Sequence, residues 1–137
     1  MREAMAPGAR IALLTHAPND LTVLQSALAQ LPQEFPAVTG VNLQALENEA
    51  QMAALLAHEL AVAQIIILRV LGRLGSVPGF AELVRQARNR GLHLIAISGT
   101  GEPDPELAAV STVASDVLQQ ALAYFQSIMV SHPGAKV

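Results

Sequence analysis

The most pointed chemistry in the chain is an arginine closing an aliphatic run. In Gln64-Ile-Ile-Ile-Leu-Arg69-Val-Leu-Gly72 the branched aliphatics predict a strand buried on both faces, the centre of a parallel sheet. Arg69 stands where that strand should end, and in open α/β sheets ligands gather beyond the carboxyl ends of the strands. A guanidinium held there could bind an anion or carboxylate through its planar fork. The competing reading is a salt bridge to a neighbouring loop or another domain. No carboxylate is assigned to it, because Asp20 and Asp104 read as helix caps. Arg69 is therefore expected to reach backbone carbonyls or an anion from solvent.

Other candidates cluster at the same end of the sheet. His16 follows the first predicted strand. The loop from Gly72 to Gly79, and Ser98, Gly99 and Thr100 after the fourth strand, could turn backbone N–H groups toward an anion. The plainer alternative is that these glycines only permit tight turns. The candidate ligand-binding set is thus Arg69, Gly72, His16, Ser98, Gly99 and Thr100. No catalytic residue is assigned. There is no GxxxxGK[ST], no GxGxxG opening the first helix and no GxSxG elbow. His16, His58, His93 and His132 form no i, i+4 pair, and no metal site is expected. The ends of the first and third strands hold Thr15-His16-Ala17 and Arg69, which is not the carboxylate set of a phosphoacceptor domain. A flavin site would want aromatic walls, and the loops have neither Trp nor Tyr.

The elements that must position these residues alternate. Strands are predicted at 9–15, 37–43, 64–69 and 92–97. The second, interrupted by Gly40, is expected at an edge. Leu21, Leu24, Leu28 and Leu31 form the stripe of a first helix that Pro32 and Pro36 end. A second helix spans Glu47 to Ala61, with Met52, Leu55, Leu56 and Leu60 inward. In a third, Phe80, Leu83, Val84 and Ala87 make the apolar stripe, Arg85, Arg88 and Arg90 lie on or near the polar side, and Gly91 is a natural C-terminal cap. Asp104-Pro105 opens a short helix to Ala109, Ser111-Thr112 breaks it, and Asp116 to Val130 forms the last. This β-α-β-α-β-α-β-α order implies a flavodoxin-like three-layer α/β sandwich, a four-stranded parallel sheet in the order 2-1-3-4. Residues 1–137 read as a single domain.

Composition bounds the function. Apolar residues make up 52% and charged ones 14%, where a soluble domain usually carries roughly 25% charged. So poor a supply of charge suggests that part of the surface is covered by something else. The formal charge of -3 gives no footprint for nucleic acid. With no cysteine there is no disulfide, no thiolate metal site and no Cys nucleophile. No apolar run reaches the ~20 residues of a membrane span, no signal peptide is visible, and a cytoplasmic location is expected.

Taken together, one set of residues resembles a known family. Asn19-Asp20-Leu21, Val41-Asn42-Leu43, Ile65-Ile-Ile-Leu-Arg69-Val-Leu-Gly72, Gly99, Pro103-Asp104-Pro105-Glu106-Leu107, Ser111-Thr112-Val113 and Tyr124 carry the resemblance. In order and spacing they are similar to the N-terminal region of the large subunit of cobaltochelatase, a family shared with the H-type subunit of magnesium chelatase. The chain departs from that pattern after Arg69. It runs Gly72-Arg73-Leu74-Gly75-Ser76-Val77-Pro78-Gly79, without the paired glycines and aromatic pair usual there. The resemblance implies part of such a subunit, or a small relative, serving tetrapyrrole metal insertion in cobalamin biosynthesis as a structural or substrate-contacting module. It implies cobalt or magnesium, ATP and a tetrapyrrole for the assembled complex, with no cofactor in this chain. The partners implied are the rest of a large subunit and separate ATPase subunits. The alternative is an independent flavodoxin-like binding domain for a small anionic ligand.

Overall fold

The four aliphatic runs pair as parallel strands β1 (Ile11–Thr15), β2 (Val38–Asn42), β3 (Ile65–Val70) and β4 (His93–Ser98), in the order β2-β1-β3-β4. The computed structural model describes residues 10–29, 38–99 and 104–113. Between and after the strands lie α1 (Pro18–Leu28), α2 (Glu49–Ala57), α3 (Phe80–Arg90) and α4 (Pro105–Val110). This is the expected three-layer arrangement with its expected strand order, and β2 lies at an edge. The predicted turn at Pro32 and Pro36 and the predicted helix from Asp116 to Val130 fall outside the described residues.

Side chains alternate across a strand, so each strand divides its residues between two faces. Ala12 and Leu14 of β1, Ile66, Leu68 and Val70 of β3, and Leu94 and Ala96 of β4 all enter one apolar cluster. Met52, Leu55 and Leu56 of α2, Leu83 and Ala87 of α3 and Leu107 of α4 close over them. Among the described residues, α1 lies on the opposite face, over β1 and β2. There Gly40 matters, because a Cβ at that position would come within 2.6 Å of a Leu21 methyl. The missing side chain lets α1 settle onto β2.

Local signals account for most helix ends. The Asn48 side chain accepts from the Gln51 N–H at the start of α2. Gly91 takes φ 68° and ends α3 in the left-handed conformation. Asp104 accepts from the Glu106 and Leu107 N–H groups, with Pro105 as the first helical residue.

One expectation needs correction and two gain detail. The second helix stops at Ala57 rather than Ala61. The Arg90 guanidinium reaches across from α3 and donates to the carbonyls of Leu60 and Ala61, fixing a turn that still buries Leu60. In α3, Leu83 and Ala87 are buried, but Phe80 and Val84 are only half-buried on its flank. Ser111-Thr112 also does more than end α4. The Ser111 hydroxyl accepts from the Ala96 N–H at 2.9 Å and the Thr112 hydroxyl from the Leu94 N–H at 2.9 Å, while the Thr112 N–H donates to the Leu94 carbonyl. Two hydroxyls thus occupy the outer edge of β4, where backbone carbonyls of a further strand would bind.

Candidate functional site

β1 and β3 are neighbours, and their register sets Thr15 directly beside Arg69. Both side chains point to the α1 face, opposite to Leu14 and Leu68. Asp20 lies in the first turn of α1 above them. Its carboxylate is shared: the Thr15 hydroxyl donates to Oδ2 at 2.6 Å, and Arg69 Nη1 donates to Oδ1. Arg69 Nη2 extends to the Gly99 carbonyl at 3.3 Å, bringing in the end of β4. The Thr15 hydroxyl in turn accepts from the Ala17 N–H at 3.0 Å, tying the β1–α1 turn to the same group. Thr15, Asp20 and Arg69 are 0, 3 and 7% exposed. This is a buried ion pair with its own hydroxyl, not a charge waiting at a crevice mouth.

The expectation for Arg69 is corrected here. Asp20 does not cap α1; it sits inside the helix, its N–H donating to the Ala17 carbonyl. A first-turn acid suits the helix dipole, and from that turn its carboxylate hangs back over the strand ends. The expected backbone-carbonyl contact exists through Gly99, but the principal partner is a carboxylate. Burial makes that pairing necessary, since an unpaired guanidinium inside the fold costs several kcal/mol.

His16 is fixed at three points. Its N–H donates to the Arg69 carbonyl, its carbonyl accepts from Gln44 Nε2 at 2.8 Å, and its ring Nδ1 accepts from the Leu71 N–H at 3.0 Å. Because a backbone N–H can only donate, the ring must be neutral with its proton on Nε2. Burial lowers the imidazole pKa from its usual 6.5 and favours that form. Gly99 also has a steric role. A Cβ there would meet a Leu71 methyl at 2.3 Å and the Val70 carbonyl oxygen at 3.2 Å, so Leu71 lies across the Gly99 backbone. Leu71 remains 44% exposed over that contact.

His16, Arg69, Ser98 and Gly99 therefore converge on one end of the sheet. Gly72 sits just beyond β3 in an exposed turn with φ 96°, a conformation that favours glycine. Thr100 lies outside the described residues. The loop after Gly72 packs Leu74 and Val77 into the core, and its Ser76 and Val77 N–H groups donate to the Arg73 and Leu74 carbonyls. Thr15, Asp20 and Leu71 were not among the candidates drawn from the sequence. A signal existed in the register: if β1 and β3 pair through their aliphatic runs, Thr15 falls opposite Arg69. Among the described residues no group of three His, Cys, Asp or Glu could hold a metal ion, and no helix is long and apolar enough to cross a membrane.

A parallel α/β domain in the order 2-1-3-4, with a buried ion pair joining its strand ends to its first helix, is the class defined by these observations. The resemblance drawn from its residues is then met by comparison. The chain is similar to part of the aerobic cobaltochelatase subunit CobN of Pseudomonas aeruginosa, 26% identical over 118 residues, which are 86% of this chain and 10% of that protein. It also shares the fold of part of the catalytic subunit of cobaltochelatase from Mycobacterium tuberculosis, with a TM-score of 0.61 and 24% identity over 83% of this chain and 8% of that one. The chain thus spans about a tenth of the length of the relatives it matches. No family model matches it.

Proposed function

We propose that the chain acts as one domain of a cobaltochelatase-type large subunit in cobalamin biosynthesis, and that its role there is to support the assembly rather than to grip the macrocycle. The observation carrying this reading is the engagement of Arg69 within the chain. The guanidinium at the end of the central strand already holds Asp20 and the Gly99 carbonyl. A carboxylated tetrapyrrole would have to displace a buried partner to reach it. In this reading cobalt is the substrate metal, ATP is hydrolysed by separate subunits, and the remainder of a large subunit is the immediate partner. The isolated chain is expected to show no turnover with cobalt, ATP and a corrin substrate.

The test is a chimera in which this chain replaces the segment it matches in the Pseudomonas aeruginosa subunit. Cobalt insertion within about tenfold of the parent is expected, a loss of at most ~1.4 kcal/mol in transition-state stabilisation. The same chimera carrying Asp20→Leu and Arg69→Met should retain that activity once folded. A chimera that assembles with its ATPase subunits yet inserts no cobalt overturns the domain reading. A folded double variant with a raised KM for the macrocycle restores the substrate-contacting role.

A second reading, binding of a small ligand by the chain alone, draws on His16. Its neutral ring carries the proton on Nε2, a single donor beside the exposed Leu71 side chain. Titrating a carboxylated tetrapyrrole against wild type and His16→Phe tests it. Equal affinity of the two proteins removes His16 from any such site.

A further inference from the structure

Phe80 and Val84 are packed against the core yet half-exposed on the flank of α3. α3 has 11 residues and α4 has 6, and Val110 at the end of α4 faces the α3 flank. Part of the α3 flank is left uncovered by the described residues. Between the two helices lies an open groove of about 420 Å³. Its apolar surface comes from Phe80 and Val84 of α3 and Val110 of α4, all half-buried and packed against the core. Phe80, Val84 and Arg88 are spaced four apart and form one ridge, the kind that a second helix packs against.

The rim is cationic. Arg85 is bound to Glu82 by two hydrogen bonds, and Arg90 is taken up by the Leu60 and Ala61 carbonyls. The Arg88 side chain is exposed, and its guanidinium makes no hydrogen bond or ion pair among the described residues. In a chain of net charge -3, a guanidinium beside an apolar groove favours an acidic occupant over another basic surface. The groove's open form, and its position in the helix layer alongside α3, suit a helix rather than a small molecule.

We propose that this groove docks an amphipathic helix of a protein partner, with apolar side chains on Phe80, Val84 and Val110 and a carboxylate facing Arg88. The inference does not depend on the chelatase reading, because it uses only the shape and charge of this flank.

The probe is a synthetic amphipathic peptide of about 15 residues, long enough for marginal helix formation. It carries Leu along one face and Glu at its border, and it is compared with a twin bearing Lys in place of Glu. Fluorescence anisotropy at low salt should show the acidic peptide binding the 137-residue chain at least about tenfold tighter than its twin. Arg88→Glu, at an exposed position that leaves the fold intact, should reverse that order, and Val84→Asp should weaken both peptides. Three results overturn the proposal: equal affinity for the twins, no binding of either, or an acidic preference that survives Arg88→Glu. Sedimentation provides a fourth. A concentration-dependent dimer that Val84→Asp dissolves would mean that the groove receives a second copy of this chain.

Discussion

The two faces of the sheet are built on different physics. Under α2 and α3 the face is uniformly aliphatic, and Ile66, Leu68, Leu94 and Leu14 are sealed from water. On the opposite face the apolar residues Leu13 and Ile97 of the sheet and Val23 of α1 share the interior with Thr15, Asp20 and Arg69. Burial on the first face stabilises in proportion to area and tolerates sliding. The polar triad on the second requires one geometry, because each member satisfies another. Area supplies most of the stability, while the triad sets where α1 sits against β1 and β3. Such a division is consistent with buried polar groups contributing position more than energy.

Breaking the polar face one-sidedly should have the largest effect. Asp20→Ala leaves Arg69 buried without its carboxylate and is expected to cost about 3–5 kcal/mol in urea unfolding. Asp20→Leu combined with Arg69→Met should recover about half or more of that loss, since an apolar replacement of a buried pair is often neutral. If the double variant were as unstable as the single one, the triad would be supplying energy and not position. On the aliphatic face, Ile66→Ala should cost ~2–5 kcal/mol, by lost burial and the cavity left behind. A loss below about half a kcal/mol there would contradict the role of β3 as the central strand.

Two smaller effects sharpen the contrast. Thr15→Val removes one donor to Asp20 and should cost about 1 kcal/mol, measurable as a shift in denaturation midpoint. His16 adds a pH dependence confined to the strand ends. Its folded pKa lies below the usual 6.5, so the unfolded chain binds the proton more readily. The stabilisation is complete above the unfolded value and fades as pH falls through the folded one. The cause is concrete: a protonated ring has no lone pair for the Leu71 N–H. Unfolding midpoints measured between about pH 7.5 and 5 should fall less in His16→Phe than in wild type. Parallel declines in the two proteins would place the titration elsewhere.

The fold was more legible in the sequence than the site. Aliphatic runs of the right length, with Gly91, Asn48 and Asp104 at helix ends, are local signals that the sheet merely assembles. Arg69 was equally visible as a residue at a strand end. Its partner was not, because Asp20 is 49 positions away and a first-turn acid looks like a cap in one dimension. Only the parallel pairing of Thr15 with Arg69 brings the turn of α1 over that strand. Phe80 and Val84 illustrate the same limit. Their spacing places them against the core, but how far a helix flank is covered depends on neighbouring elements that helical spacing alone does not specify.

The Ser111-Thr112 contact with β4 has a consequence for how this sheet can grow. An outer strand offers unpaired amides and carbonyls to any extended chain that drifts near, which is the usual route to domain swapping and fibrils. Here the amides of Leu94 and Ala96 are already occupied by hydroxyls from the same chain. A hydroxyl ends the ladder, because it presents no next backbone for a stranger to match. The β4 side is thereby closed to templating, and a strand joining this sheet would have to enter beside β2.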